Sequence, residues 1–318
     1  MSQDQFRVLV ADDMAADAVA IMSDAGLKVD VNTGRTPEQL KEIIGQYHGL
    51  AVRSSSKVTS SLLEAASQLK IVGRAGVGVD NIDVPAATKK QVLVINTPAG
   101  NGIAAGELAL GYIFALARKL PQSTASMKAG QWDKKAFMGV EITGKTLGVV
   151  GFGNIGRMVG DRAVGLKMNV LAYDPFTQPG AVPPSGTEFA TLEELIKRSD
   201  FITLHMPLTP DTKGLFGRDN LLKMKKNAYL INCARGGIID EAALYEVMKD
   251  GHLAGAALDV FEEEPCGPLP VLSLPNVLSS PHTGASTKEA QVKVAIELAE
   301  VFVDFLLKGK VRNAVNKL

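Results

Sequence analysis

Short apolar runs alternate with amphipathic stretches along the first hundred residues, which is the pattern of a parallel sheet covered by helices. The runs that we predict as strands are 7–11, 29–31, 50–52, 70–72 and 92–95. The stretches that we predict as helices are 15–25, 37–44, 61–66 and 84–90. We therefore expect a doubly wound α/β domain over residues 1–99.

A glycine-rich break at 98–102 is followed by a long apolar stretch at 104–120, which Pro121 ends. Its apolar positions are too many for one amphipathic stripe, so we predict a buried helix, covered in part by another subunit. Residues 126–139 are then a polar stretch that contains the single tryptophan, Trp132.

The alternation resumes beyond that stretch. The predicted strands are 147–150, 169–173, 201–205, 228–233, 254–258 and 277–280, with short helices between them, including 221–225 and 241–249. Capping-box patterns begin helices at Thr191 and at Ser286, and Asp240 is a further N-cap. The helix after Ser286 runs to Lys308 and, being last, is expected to return to the first domain.

The turn between the first two of these strands carries the pattern G-x-G-x-x-G. Gly151 suits a tight turn, Gly153 a close approach of the backbone to a pyrophosphate, and Gly156 close packing of helix on strand. Asp174 follows the second strand at the distance expected for a carboxylate that binds a ribose. Residues 175–176 supply no cation for a 2′-phosphate, so NAD is favoured over NADP. A structural turn in another parallel-sheet protein is the alternative.

The fold class that these patterns predict is α/β, with two doubly wound parallel-sheet domains. A Rossmann dinucleotide-binding domain over 100–284 is inserted into a discontinuous, flavodoxin-like substrate domain made of 1–99 and 285–318.

Composition narrows the functional classes. The 318 residues include 34 basic and 34 acidic side chains, so no net charge attracts nucleic acid or anionic lipid. No apolar run reaches membrane-spanning length, and the N-terminus lacks a signal-peptide core. Two cysteines form no disulfide framework, and we predict no metal site. A cytoplasmic protein is expected.

Three candidate catalytic side chains follow three strands of the nucleotide-binding domain: Arg235, Glu264 and His282. The guanidinium can hold a carboxylate, the imidazole can take a hydroxyl proton as hydride leaves, and Glu264 can orient that imidazole. Each residue alone also has a structural interpretation. His205, which follows another strand, is the competing candidate for the acid–base role.

Two polar loops follow strands of the first domain, at 53–56 and 73–78. We interpret the second, glycine-rich loop as a set of exposed amides for a small anion. Arg53 is either a ligand contact or a solvated surface charge.

Longer motifs resemble the D-isomer-specific 2-hydroxyacid dehydrogenase family over the whole chain. They are Val52-Arg53-Ser54, Val72-Gly73-Arg74-Ala75-Gly76-Val77-Gly78-Val79-Asp80-Asn81, Asn232-Cys233-Ala234-Arg235-Gly236-Gly237, Ala257-Leu258-Asp259-Val260-Phe261 with Glu264-Pro265, and Pro281-His282-Thr283-Gly284-Ala285-Ser286.

The resemblance implies a role for each matching position. It makes Arg235, Glu264 and His282 catalytic. The implied cofactor contacts, with the three glycines above, are Asn154, Ile155, Asp174, Pro207, Cys233, Arg235, Asp259, His282 and Gly284. The implied substrate contacts are Arg53, Ser54, Gly76, Val77, Gly78, Asn101, Arg235 and His282.

The resemblance also implies NAD-dependent oxidation of D-3-phosphoglycerate to 3-phosphohydroxypyruvate, the first step of serine biosynthesis, in a homodimer or homotetramer. The same chemistry on glyoxylate, hydroxypyruvate or D-lactate is the nearest alternative, and an NAD-sensing corepressor is a more distant one. Longer relatives carry carboxy-terminal regulatory domains; a complete chain of this length would lack them and their feedback by serine.

Overall fold

The computed structural model describes residues 5–178 and 180–318. The first four residues, which belong to the N-terminal segment considered above, and Pro179 lie outside the described residues. The strands are β1 (Arg7–Val10), β2 (Lys28–Val31), β3 (Gly49–Val52), β4 (Ile71–Arg74), β5 (Leu93–Ile95), β6 (Thr146–Val150), β7 (Asn169–Tyr173), β8 (Thr187–Phe189), β9 (Phe201–Leu204), β10 (Tyr229–Asn232), β11 (Gly255–Leu258) and β12 (Val277–Ser279).

The helices of the described residues follow the same order along the chain. They are α1 (Ala16–Asp24), α2 (Pro37–Ile44), α3 (Ser60–Ala65), α4 (Val84–Lys89), α5 (Gly102–Ala117), α6 (Leu120–Lys128), α7 (Asn154–Gly165), α8 (Leu192–Arg198), α9 (Arg218–Lys223), α10 (Glu241–Lys249) and α11 (Lys288–Lys308), with a 3₁₀ turn at Pro270–Ser273.

The chain forms two compact units, the first made of Met1–Gly102 and Ala285–Leu318 and the second of Ile103–Gly284. The first unit has a five-stranded sheet in the order β2-β1-β3-β4-β5, and the second a seven-stranded sheet in the order β12-β11-β10-β9-β6-β7-β8. The strand pairs of both sheets are parallel. The first order is flavodoxin-like and the second is Rossmann-like with one added strand, so the predicted fold class is confirmed.

Helix α11 packs on the sheet of the first unit and completes its core. Phe302 is fully buried, and a Cβ placed on Gly73 would lie 2.4 Å from its ring. The same ring would be 2.8 Å from a Cβ on Gly49. Glycine at these two strand positions therefore gives the last helix room to close over β3 and β4.

Several local predictions differ from the structure. The predicted helix 104–120 ends at Ala117, because Lys119 adopts a left-handed conformation (φ 47°). Pro121 then lies in the first turn of α6, where proline is tolerated, so the first part of the predicted polar stretch 126–139 is helical. Strand β8 and the 3₁₀ turn were not predicted.

The capping predictions have mixed outcomes. Thr191 forms a full capping box with Glu194, and Asp240 caps α10 through the Ala243 amide, as predicted. The last long helix begins one residue later than expected: Thr287, not Ser286, accepts the hydrogen bond from Ala290.

Candidate active site

The glycine turn lies at the position where the strand order of the second sheet reverses. Strand β6 pairs with β7 on one side and with β9 on the other, and open α/β sheets bind ligands at the carboxyl ends of such strands. The loops that follow β6, β7, β9, β10, β11 and β12 therefore meet at one edge of the sheet. Every predicted cofactor or catalytic residue of this unit lies in these loops or at the start of α7.

Each glycine of the turn has the geometry that its predicted role requires. Gly151 has φ +91°, and a Cβ there would lie 2.6 Å from the His205 carbonyl oxygen. A Cβ on Gly156 would lie 2.0 Å from the Gly151 carbonyl oxygen, so α7 can approach β6 only without a side chain. A Cβ on Gly153 would meet nothing within 4 Å, which leaves open space beside the first amides of α7. Asn154 and Ile155 form the first turn of that helix, whose amides and dipole favour an anion.

Asp174 is held against the glycine turn by two backbone amides. Its Oδ2 accepts from Phe152 N at 2.8 Å, and its Oδ1 accepts from Phe176 N at 2.9 Å. Because a carboxylate has about four acceptor positions, these two bonds orient the group and still leave it able to accept from a ribose hydroxyl.

His282 and Glu264 are in direct contact, although 18 positions separate them in the sequence. His282 Nδ1 lies 2.6 Å from Glu264 Oε2, and both side chains are partly exposed. The other carboxylate oxygen, Glu264 Oε1, accepts from Phe261 N at 3.1 Å. Glu264 is thereby fixed to its own loop, and it can in turn fix the orientation of the imidazole.

The Arg235 loop packs tightly against the loop that leads to Glu264. A Cβ on Gly236 would lie 1.7 Å from the Phe261 carbonyl oxygen, so the two loops touch through their backbones. Asn232, the last residue of β10, holds the Arg235 loop because its Nδ2 donates to the Arg235 carbonyl oxygen at 2.9 Å. Arg235 Nη1 itself donates to the Ala234 carbonyl oxygen at 2.7 Å.

The remaining predicted cofactor contacts of this unit lie beside these loops. Cys233 is buried, and burial together with the nearby charge of Asp259 raises the pKa of its thiol, which makes it a poor nucleophile. Pro207 is exposed after β9, with its carbonyl oxygen bonded by Thr212. Asp259 is fully buried, and its carboxylate accepts from the Gly284 amide at 2.8 Å.

His205, the competing acid–base candidate, is in a different environment. Burial lowers the pKa of His205 to about 4, and its Nε2 lies 3.0 Å from the Thr203 hydroxyl. A histidine held neutral in this way is poorly suited to exchange protons near neutral pH.

In the first unit, the Arg53 loop follows β3. Its backbone is held by Asp12, whose Oδ2 accepts from Arg53 N at 2.6 Å, and Arg53 Nη1 donates to the Asp13 carbonyl oxygen at 3.3 Å. Ser54 is exposed beside it.

The glycine-rich loop after β4 is partly different from expectation. The Gly76 amide donates to Thr97 Oγ1 at 2.7 Å, so this donor is already used within the unit. Val77 and Gly78, the other predicted substrate contacts of this loop, are partly exposed. Among the described residues, the buried Oδ1 of Asn101 has no hydrogen-bond partner, which leaves an acceptor for a bound group.

Sequence reasoning missed two groups of polar residues that hold these loops. Asp12 and Asn81 support the Arg53 loop, while Tyr112 and Ser280 support the His282 turn. Asp12 could have been found because it follows β1, which ends at the same sheet edge as β3. Tyr112 carries a hydroxyl in a mostly apolar helix, which is the only local signal for it.

Comparison with known proteins places the chain among dehydrogenases. Residues 110–284 match the family model described as D-isomer specific 2-hydroxyacid dehydrogenase, NAD binding domain. A D-3-phosphoglycerate dehydrogenase of Methanocaldococcus jannaschii is 49% identical over 311 residues, which are 98% of this chain. The chain spans 59% of the length of that relative.

Solved structures agree with this relationship. A D-2-hydroxyisocaproate dehydrogenase superposes with a TM-score of 0.86 at 28% identity, covering 98% of this chain and 100% of its own. The NAD⁺-bound 3-phosphoglycerate dehydrogenase of Entamoeba histolytica has a TM-score of 0.82 at 29% identity, covering 99% of each chain.

Proposed function

Because the chain belongs to the D-isomer-specific 2-hydroxyacid dehydrogenase family, we propose that it oxidises D-3-phosphoglycerate to 3-phosphohydroxypyruvate with NAD. This is the entry step of serine biosynthesis. The observation that carries the proposal is the 2.6 Å contact of His282 with Glu264 at the sheet edge that also bears the glycine turn. The names of the relatives support the choice of substrate.

His282 is the proposed acid–base. With Glu264 accepting at Nδ1, the proton of a neutral imidazole is on Nδ1, and Nε2 has the lone pair that can take the substrate hydroxyl proton. Glu264 also stabilises the imidazolium that forms. Arg235 is proposed to hold the substrate carboxylate and to polarise the oxygen at C2.

The residues of the glycine turn fit NAD. Gly151, Gly153 and Gly156, with Asn154 and Ile155, would hold the pyrophosphate, and Asp174 would hold the adenosine ribose. When bound, NAD accepts the hydride that leaves C2 of the substrate. Pro207, Cys233, Asp259 and Gly284 complete the proposed contacts with the nicotinamide half.

The proposed substrate contacts of the first unit are Arg53, Ser54, Val77, Gly78 and Asn101. These residues suit an anionic hydroxy acid, because they offer a cation, a hydroxyl and two amides as donors. The buried Asn101 Oδ1, which has no protein partner, offers an acceptor. Lys134 and Lys135 are proposed to place positive charge near the phosphate of a substrate bound to a neighbouring subunit.

A homodimer or homotetramer is the proposed assembly, and the cytoplasm is the proposed location. Large apolar side chains are exposed on and after α5 and α6, including Met127, Trp132 (75% exposed) and Met138 (76% exposed). Such a group of exposed side chains is typical of a protein interface. Both cysteines are free, as is usual in a reducing compartment. Within the described residues, no helix has the length and apolarity needed to span a membrane.

Substrate choice is tested by comparing kcat/KM for D-3-phosphoglycerate, D-glycerate and D-lactate with NAD. We expect D-3-phosphoglycerate to be preferred. A higher kcat/KM for D-glycerate or D-lactate would contradict the proposed substrate. His282→Ala should lower kcat by about 10²–10⁴-fold while NAD still binds. A corepressor would instead show no turnover and keep its partner in the His282→Ala variant.

Cofactor placement is tested on the glycine turn by measuring NAD affinity and thermal stability together. Gly153→Ala puts a methyl group into open space beside the α7 amides, so it should weaken NAD binding without changing stability. Gly156→Ala should destabilise the protein, because its Cβ overlaps the Gly151 carbonyl. Gly165→Ala, at the far end of α7 and also in open space, is the matched control and should change neither.

A further inference from the structure

The turn that carries His282 is wrapped around a buried carboxylate. Asp259 Oδ1 accepts from the Thr283 amide at 2.7 Å, from the Thr283 hydroxyl at 3.1 Å and from Ser280 Oγ, while Oδ2 accepts from the Gly284 amide. The His282 amide donates to the Asp259 carbonyl oxygen at 2.8 Å. Asp259 therefore bonds the residues on both sides of His282.

A second hydroxyl extends this network into α5. Tyr112 Oη lies 2.5 Å from Ser280 Oγ. The serine hydroxyl has one hydrogen, which goes to the Asp259 carboxylate, so Ser280 Oγ must accept from Tyr112. The hydrogen bonds thus run in one direction, from Tyr112 through Ser280 to Asp259. Burial raises the pKa of Tyr112 to about 12, which keeps the phenol protonated as that donor.

The backbone of His282 needs such support. Its φ is +51°, a left-handed conformation that costs a non-glycine residue energy and persists only where surrounding contacts hold it. The same conformation brings the imidazole within 2.6 Å of Glu264. A change in the turn would therefore change the contact on which the acid–base group depends.

We propose that Tyr112 and Ser280 are positioning residues for His282 and act through Asp259. This inference rests on the proposed function, since it concerns the proton transfer of that reaction. Neither side chain needs to touch the substrate or the cofactor. Their hydroxyls complete the set of donors around Asp259 and hold the turn in the one conformation that pairs His282 with Glu264.

The test compares Ser280→Ala, Ser280→Thr and Tyr112→Phe with the unmodified enzyme. Kinetics with D-3-phosphoglycerate, the NAD dissociation constant, the melting temperature and the solvent deuterium isotope effect on kcat are measured. We expect Ser280→Ala to lower kcat about tenfold, the size of one lost bond to a charged group. NAD affinity should stay unchanged, and the isotope effect should rise because proton transfer becomes slower. Ser280→Thr should restore most of the rate.

Tyr112→Phe removes one oxygen from a buried ring and should fold even if Ser280→Ala does not. We expect kcat to fall about threefold with it. The double variant should be no slower than Ser280→Ala alone, because the tyrosine acts only through the serine. Ser199→Ala is the control: it removes a buried serine hydroxyl, which donates to the Leu195 carbonyl oxygen, and should change stability alone.

The outcomes separate this proposal from the proposed function. An active enzyme whose kcat and isotope effect are unchanged in Ser280→Ala and Tyr112→Phe would overturn the positioning role and leave the dehydrogenase intact. A fall in kcat that follows the melting temperature, with no change in isotope effect, would overturn it too. An unmodified protein that turns over no 2-hydroxy acid would overturn the proposed function itself.

Discussion

The two units use the same device at their proposed ligand loops, a buried aspartate that follows a parallel strand. Asp12 follows β1 and is 4% exposed, and Asp259 follows β11 and is fully buried. Asp12 accepts from the amides of Arg53 and Ser56 and from the Ser56 hydroxyl. A buried carboxylate is costly unless it is fully hydrogen-bonded, and both aspartates are surrounded by donors.

What each aspartate holds is different. Asp12 holds the Arg53 loop through two backbone amides and the Ser56 hydroxyl, and Asn81 donates to two carbonyl oxygens of the same loop at 2.6–2.7 Å. Asp259 accepts hydrogen bonds from residues on both sides of the proposed acid–base residue, whose backbone is left-handed. Under the proposed function, the first loop would serve substrate binding and the second would serve proton transfer. The two aspartates should therefore affect different kinetic constants.

The largest expected effect comes from Asp259→Asn. An amide presents only one acceptor oxygen, so its NH₂ group would face donors from the 283–284 backbone. We expect the free energy of unfolding to fall by about 2–4 kcal/mol and kcat to fall at least tenfold, with a smaller change in KM. Urea denaturation and steady-state kinetics measure the two. A change in KM alone would contradict the prediction that Asp259 affects kcat and Asp12 affects KM.

The next largest effect is expected from acid, which should lower the stability of the second unit. The pKa of His205 is about 4 in the folded second unit because of burial, against about 6.5 in an unfolded chain. The unfolded state therefore binds the proton first, so stability is complete above about pH 6.5 and falls toward pH 4, by about 1–3 kcal/mol. Hydrogen exchange of β6 and β9 between pH 7 and pH 4 measures this loss. His205→Gln should show a flatter pH dependence; an equally steep one would assign the loss to other groups.

Asp12→Asn should have a smaller effect on stability and a different effect on kinetics. The Ser56 hydroxyl and the single carbonyl oxygen of the new amide side chain can re-form part of the network, so we expect a loss of about 1–2 kcal/mol. KM for the hydroxy acid should rise several-fold, while kcat and NAD affinity change little. Asn81→Ala, which frees the carbonyl groups of the same loop, should raise KM in the same way. A fall in kcat with normal KM would contradict the binding role.

The smallest expected effect is the loss of stability in acid from one ion pair of the first unit, Arg7 with Asp30. The hydrogen bond from Arg7 holds the pKa of Asp30 below its ordinary value, and the two side chains are 2.7 Å apart. The stability from this pair is present above the ordinary pKa, near 4, and is lost as the pH falls through the lowered one. Because both groups are about a third exposed, we expect less than about 1 kcal/mol. In urea unfolding, Asp30→Asn should differ from the unmodified protein more at pH 7 than at pH 3.

The sequence by itself determined the parts of this protein that depend on neighbours along the chain. Strand runs, the turn Gly151–Gly156, the carboxylate at Asp174 and the caps at Thr191 and Asp240 follow from local periodicity and short-range hydrogen bonding. The same local signals failed at Lys119, where a left-handed residue splits one expected helix, and at the short edge strand β8. Arg118 and Lys119 interrupt the apolar run only briefly before Leu120, and β8 has three residues, too few to show a strand period.

Tertiary structure alone decided which side chains meet. Tyr112 and Ser280 are 168 positions apart, and Asp12 and Ser56 are 44 apart. No helical or strand period relates such positions. They come together because neighbouring parallel strands, β1 and β3 in the first sheet and β11 and β12 in the second, bring distant carboxyl ends to one edge of each sheet. A buried polar group must also find its partner wherever packing leaves one.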